Sequence, residues 1–156
     1  MPSRLLEPPR LDFGPGFHGG GIISIVPPKV GRLYTALVPL PDSDGMDKAG
    51  IRLPEVAVPL GTYTGWNLRR AGFSEGELCS LSGSFIAFAA TRAERLRSGD
   101  PRPSLEERYH DHAGYVAAVR AGALKLEAEG WLLKEDGDRA IAAAEASAVL
   151  RSAASP

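Results

Sequence analysis

The chain has 156 residues, 44% of them hydrophobic and 24% charged, with a formal net charge of −1. That length can bury one domain-sized core, and the composition is globular, which excludes a disordered chain. Acidic and basic residues balance along the sequence, eight of each in residues 1–90 and eleven against ten in residues 91–156, so no basic stripe marks a nucleic-acid partner. Cys79 is the single cysteine, which rules out an internal disulfide; it reads as a small hydrophobe. The longest apolar run near the N-terminus, Ile22-Ile23-Ser24-Ile25-Val26, is too short for a signal core or a membrane span. A cytoplasmic location without a membrane partner is the expectation.

Residues 1–90 and 91–156 differ in kind. Ten of the thirteen prolines lie in residues 1–60, and thirteen of the eighteen glycines in residues 1–90. Proline offers no ladder donor, so a stretch holding Pro27-Pro28, Pro39, Pro41, Pro54 and Pro59 cannot be central sheet. Residues 1–90 therefore read as an extended wrapping segment with two or three short edge strands. Leu33–Val38 and Ala49–Val58 are expected to pair around the turn Asp42-Ser43-Asp44-Gly45.

Residues 91–156 read as helical. Thr91-x-x-Glu94 and Ser104-x-x-Glu107 both fit the capping box, with Asp100-Pro101-Arg102-Pro103 breaking the chain between them. From Ser104 an apolar stripe runs through Leu105, Tyr109, Val116, Val119, Ala123 and Leu126. Gly130 suits a left-handed stop, with Trp131 placed to pack on Leu126. A further helix is expected from about Glu135 to Arg151, with Ile141, Ala144 and Ala148 inward, giving two antiparallel helices joined near Gly130. The fold class is thus α+β: an extended Pro/Gly-rich part with a few edge strands, then a C-terminal helical hairpin.

Several motifs invite a catalytic reading. His18-Gly19-Gly20-Gly21 spells an HGGG-type oxyanion motif, and Gly72-Phe73-Ser74-Glu75-Gly76 spells G-x-S-x-G. Asp100 or Asp111, then His110 or His112, would follow Ser74 in the order serine, acid, histidine. The context is wrong, however. A nucleophile elbow needs a buried strand before the serine and a helix after it. Trp66-Asn67-Leu68-Arg69-Arg70-Ala71 is no buried strand, and Glu77–Gly83 is short and broken by glycine. Ser74 is expected in a loop.

A metal is not expected either. On a helix, His110 and His112 would point about 200° apart by the 3.6-residue period, so Asp111 reads better as a charge favourable to a helix start. Asp42, Asp44 and Asp47 resemble a calcium loop, but Gly45 is out of register and no terminal glutamate follows; a polar turn explains them. No cofactor is implied.

One set of segments is similar to a known family. Gly20–Gly31 (GGIISIVPPKVG), Gly50–Leu68 (GIRLPEVAVPLGTYTGWNL), Leu81–Phe88 (LSGSFIAF), Thr91–Tyr109 (TRAERLRSGDPRPSLEERY) and Glu129–Glu135 (EGWLLKE) resemble the C-terminal region of bacterial alpha/beta hydrolase domain-containing proteins. The resemblance spans about residues 11–150. It implies a partial α/β-hydrolase-type fold whose catalytic triad lies upstream, so no family catalytic residue carries over to this chain, Ser74 included. The chain departs from the family at Phe85, where a tyrosine is usual, and at Ala87 and Ala89, where prolines are usual.

Three functions follow as expectations. The first is a non-catalytic C-terminal portion of such a protein, forming pocket wall and packing, with the parent hydrolysing an ester or related acyl bond. Its partner would be a separately encoded catalytic half or a second copy of itself. The others are a small serine esterase using Ser74 with His110 or His112, and a protein-interaction module. The best candidate functional stretch runs from Tyr63 to Arg69: Tyr63, Trp66, Asn67 and Arg69 gather two aromatics, an amide and a guanidinium in a glycine-flanked loop, the mixture that pockets use. Core anchoring is the alternative for Tyr63 and Trp66.

Overall fold

A computed structural model describes residues 8–35, 37, 39–79 and 82–151. The chain divides into two units, each built from two stretches of sequence. The first comprises Met1–Val38 and Trp66–Ser80, the second Pro39–Gly65 and Leu81–Pro156.

In the first unit, β1 (Pro9–Asp12) pairs antiparallel with β2 (Lys29–Leu33), with an irregular register between Pro9 and Leu11. Between them lies one helical turn, α1 (Phe17–Gly20), stopped by Gly21 in the left-handed region. Every residue of both strands is exposed.

This corrects the expected pairing of Leu33–Val38 with Ala49–Val58. Leu33 ends β2 instead, and Val38 lies outside the described residues. The expected second partner holds a helical turn, α2 (Pro54–Ala57), because Pro54 sits where a helix start has no use for its missing N–H. The turn at Asp42 does form. Asp42 Oδ1 accepts from the Asp44 and Met46 amides at 2.9 and 3.0 Å, and Pro41 bridges Asp47 across it.

The second unit also holds β3 (Gly61–Thr64), paired antiparallel with β4 (Ser84–Ala87) in continuous register from Gly61↔Ala87 to Thr64↔Ser84. Gly83, just outside this stem, is needed for close approach: a Cβ there would lie 2.2 Å from the Thr64 carbonyl oxygen.

Four helices follow. In α3 (Arg92–Ser98) and α4 (Leu105–Tyr109) both capping boxes form as the sequence predicts. The apolar stripe does not continue as one helix, however. His110 turns left-handed at φ 67°, and Asp111 Oδ1 then caps α5 (His112–Ala128) by accepting from the Gly114 amide at 2.8 Å. The region from Ser104 therefore holds three helices rather than two.

Helix α5 ends as expected. With Gly130 at φ 78°, the Trp131 amide donates to Leu126 O (2.9 Å) and the Gly130 amide to Glu127 O (3.0 Å), the bond pair of a Schellman stop. The last helix, α6 (Lys134–Ala146), buries Ile141 and Ala144 but stops before Ala148, which is exposed. It runs antiparallel to α5: Glu127 lies against Gly137, while His112 reaches the carbonyls of Glu145 and Val149.

The core of this unit joins Val58, Tyr109, Tyr115, Val119 and Ala144, with Leu60, Leu105 and Val116 packed against it. On α5 the buried positions Tyr115, Val119, Ala123 and Leu126 keep helical spacing. Each large apolar side chain removed from water stabilises by roughly 1.5–3 kcal/mol. Among the described residues the architecture is α+β, with six helices and two small antiparallel sheets, in agreement with the expected fold class. No helix described is long and apolar enough to cross a membrane.

Candidate functional site

Ser74 stands at the tip of a loop in the first unit. The loop's arms are tied by a bridge between Leu68 and Leu78, by the Cys79 amide on Asn67 O (2.9 Å), and by the Arg69 amide on Glu77 O (2.8 Å). At the tip the Phe73 amide donates to Arg70 O and the Glu77 amide to Ser74 O. Among the described residues no strand leads directly into Ser74 and no helix directly follows it. Ser74 is exposed, holds φ at 52°, and makes no hydrogen bond through its hydroxyl among the described residues.

The HGGG stretch is likewise occupied with its own turn. The Gly20 and Gly21 amides donate to Gly16 O and Phe17 O at 3.0 and 2.9 Å, so neither is turned outward as an oxyanion donor.

The acids and histidines that would complete a triad lie in the second unit, and most are used locally. Both oxygens of Asp100 are held by Arg102, whose hydrogen bonds keep this carboxyl down at about 2. Asp111 caps α5. His112 places Nδ1 2.8 Å from Val149 O and Nε2 3.3 Å from Glu145 O, at the end of α6. His110 alone is exposed and without such a contact among the described residues.

The candidate stretch is divided between the units. Tyr63 belongs to β3 and stacks across the strand pair on Phe85, their centroids 5.0 Å apart. Burial raises its phenol pKa, and the Glu55 carboxylate adds to that. Trp66, Asn67 and Arg69 lie in the first unit. Trp66 and Asn67 are half-buried, Asn67 Oδ1 accepts from the Leu68 amide at 2.9 Å, and Arg69 is exposed beside a shallow depression that also borders Phe73 and Cys79.

The densest polar cluster described went unread in the sequence. Phe88, buried, has the Arg108 guanidinium 4.1 Å and the Arg102 guanidinium 5.0 Å from its ring centre. Arg108 forks onto both oxygens of Asp44, and Arg102 reaches Thr62 Oγ1 (2.8 Å) and Ile86 O (3.1 Å) as well as Asp100. Nearby, Glu107 takes two bonds from Arg95 and one from the Ser104 amide, which hold its carboxyl at about 2. Every charge here already has a partner, which makes the cluster a structural tie. Among the described residues no three His, Cys, Asp or Glu side chains group to hold a metal.

The sequence profile of the alpha/beta hydrolase domain family matches residues 18–142. This chain belongs to that family. No curated protein and no solved structure matches it. The family match takes in β2 and the Ser74 loop as well as the Asp42 turn, the β3–β4 stem, the Arg102–Arg108 cluster and α5.

Proposed function

We propose that this hydrolase-family chain is a C-terminal, non-catalytic portion that lends pocket wall and packing to a catalytic half supplied separately, the whole hydrolysing an ester or related acyl bond. The observation that carries this reading is the β1–β2 ribbon. Leu11, Val30 and Leu33 on it, with Ile22, Ile23, Val26 and Leu37 around it, are all exposed. Large apolar groups exposed together in this way mark a surface that another protein covers. Trp66, Asn67 and Arg69 are the wall residues of the first unit in this reading.

The test has two arms. The purified chain and its Ser74→Ala variant are assayed on p-nitrophenyl acyl esters, and the chain is mixed with a separately expressed catalytic half of a longer family member. The expected result is no Ser74-dependent hydrolysis by the chain alone, and a complex with the catalytic half by analytical ultracentrifugation. Hydrolysis abolished by Ser74→Ala would overturn the proposal. One observation favours that second reading, a stand-alone esterase: Ser74 has the positive φ expected of a serine on a tight turn.

A further inference from the structure

A small cavity opens in the second unit among α2, α5 and α6. It measures about 130 Å³, and its wall includes Glu55, Val58, Tyr115, Val119, Ala140 and Ala143. Cavities of roughly 150 Å³ admit a six-carbon ring, so this one suits a compact head group of similar or slightly smaller size.

Two polar groups face different fates there. Tyr115 is only 8% exposed; its hydroxyl makes no hydrogen bond among the described residues and is not sealed from solvent. Glu55, in the first turn of α2, is exposed and pairs with no cation among the described residues. The two are electrostatic neighbours: burial, then Tyr63, then Glu55 raise the Tyr115 phenol pKa. Tyr63 responds to burial and Glu55 in the same direction.

The wall thus combines a valine and alanine floor, a tyrosine ring and an unpaired carboxylate. The apolar floor disfavours strongly hydrated inorganic ions, and the carboxylate disfavours anions. An organic cation satisfies both, because its alkyl groups tolerate the floor while its charge is attracted to the carboxylate and to the face of an aromatic ring. We propose that this cavity binds a small alkylammonium head group, its carbon atoms against Val58, Val119, Ala140 and Ala143 and its charge between Glu55 and the Tyr115 ring. The proposal does not depend on whether the chain is catalytic.

The test is a proton NMR titration of the full chain with choline and with 3,3-dimethylbutan-1-ol, its uncharged isostere. Choline is expected to show a saturable upfield shift of its methyl signal, and the isostere to bind at least about tenfold more weakly. Glu55→Gln, a change on an exposed side chain, should weaken choline by about tenfold. Ala143→Leu, which keeps a good helix former on α6, should abolish binding by filling the floor. Equal binding of the isostere, an unchanged affinity in Glu55→Gln, or no saturable shift up to roughly 100 mM choline, beyond the range of specific small-ligand affinities, would each overturn the proposal. Circular dichroism of each variant confirms that it is folded, and Glu55→Gln decides the matter if Ala143→Leu is not.

Discussion

In the first unit, β1 and β2 pair their backbones yet leave every side chain of both strands exposed. In the second, the β3–β4 pair buries Gly61 and Thr62, and the neighbouring helices bury Tyr109, Tyr115, Val119 and Ala144. Both strand pairs hydrogen-bond the amides and carbonyls that face the partner strand. Among the described residues only the second unit fully buries large apolar side chains, the term that offsets the entropy of ordering a chain. Hydrogen bonding gives each unit its shape, whereas burial gives stability to one of them.

The largest expected effect is in amide exchange. Amides of Val119–Leu126 should exchange at least about a thousandfold more slowly than those of Val30–Leu33, since protection follows local opening free energy. Similar rates in both segments, read by hydrogen–deuterium exchange mass spectrometry, would erase the contrast.

Next comes Asp44→Ala. It leaves Arg108 without its forked partner, where the two side chains are only 16% and 12% exposed. Breaking such a pair is expected to destabilise the second unit by about 3 kcal/mol in urea unfolding. A change below about 1 kcal/mol would mean that solvent screens the pair.

The third effect is a pH dependence. Asp100 and Glu107 are held at about 2 by their arginine hydrogen bonds, below their ordinary range near 4. Depressed carboxyl pKa values give stability that is fully present above about 4 and is lost as pH falls toward 2. The urea midpoint of the second unit should therefore hold steady from neutrality down to about pH 4.5 and then fall. At the alkaline end, burial pushes the Tyr109 phenol up to about 12, so its stabilisation is present below about 10 and is lost as pH approaches 12. A midpoint that declines evenly from pH 7 would count against both assignments.

The smallest effect belongs to the first unit. Val26 is 81% exposed, and Val26→Ser should change stability by less than about 0.5 kcal/mol while raising solubility. A loss near 2 kcal/mol would show that Val26 is covered in solution.

What was legible in the sequence was local. The capping boxes at Thr91 and Ser104 and the stop at Gly130 each depend on residues within one or two turns, so pattern alone finds them. The break at His110 escaped because Tyr109 and Val116 keep helical phase across it. Asp111 as a cap three residues before Gly114 was the only available signal. The β1–β2 pairing escaped because Pro9-Arg10-Leu11-Asp12 holds a single large apolar residue and begins with proline. The site was less legible still. Asp44 reads as a turn residue, and nothing near it announces Arg108, whose position relative to it is set by tertiary packing. Glu55 and Tyr115 sit on separate helices for the same reason. The stretch from Tyr63 to Arg69 looked continuous, yet its tyrosine belongs to one unit and its tryptophan, asparagine and arginine to the other.

The β3–β4 stem has one more consequence. Its last pair, Thr64 with Ser84, is clasped by hydroxyls 2.6 Å apart, and everything from Trp66 to Ser80 leaves and returns through that clasp. A stem closed in this way does not need its excursion to stay shut, since a long loop costs only a little more closure entropy than a shorter one. Replacing the excursion with an Asn-Gly turn would leave an ordinary hairpin. The stem is thus modular in the sense a protein engineer would use: the stretch that carries the G-x-S-x-G serine enters and leaves the second unit at one point, so the helices of that unit do not depend on it for their register.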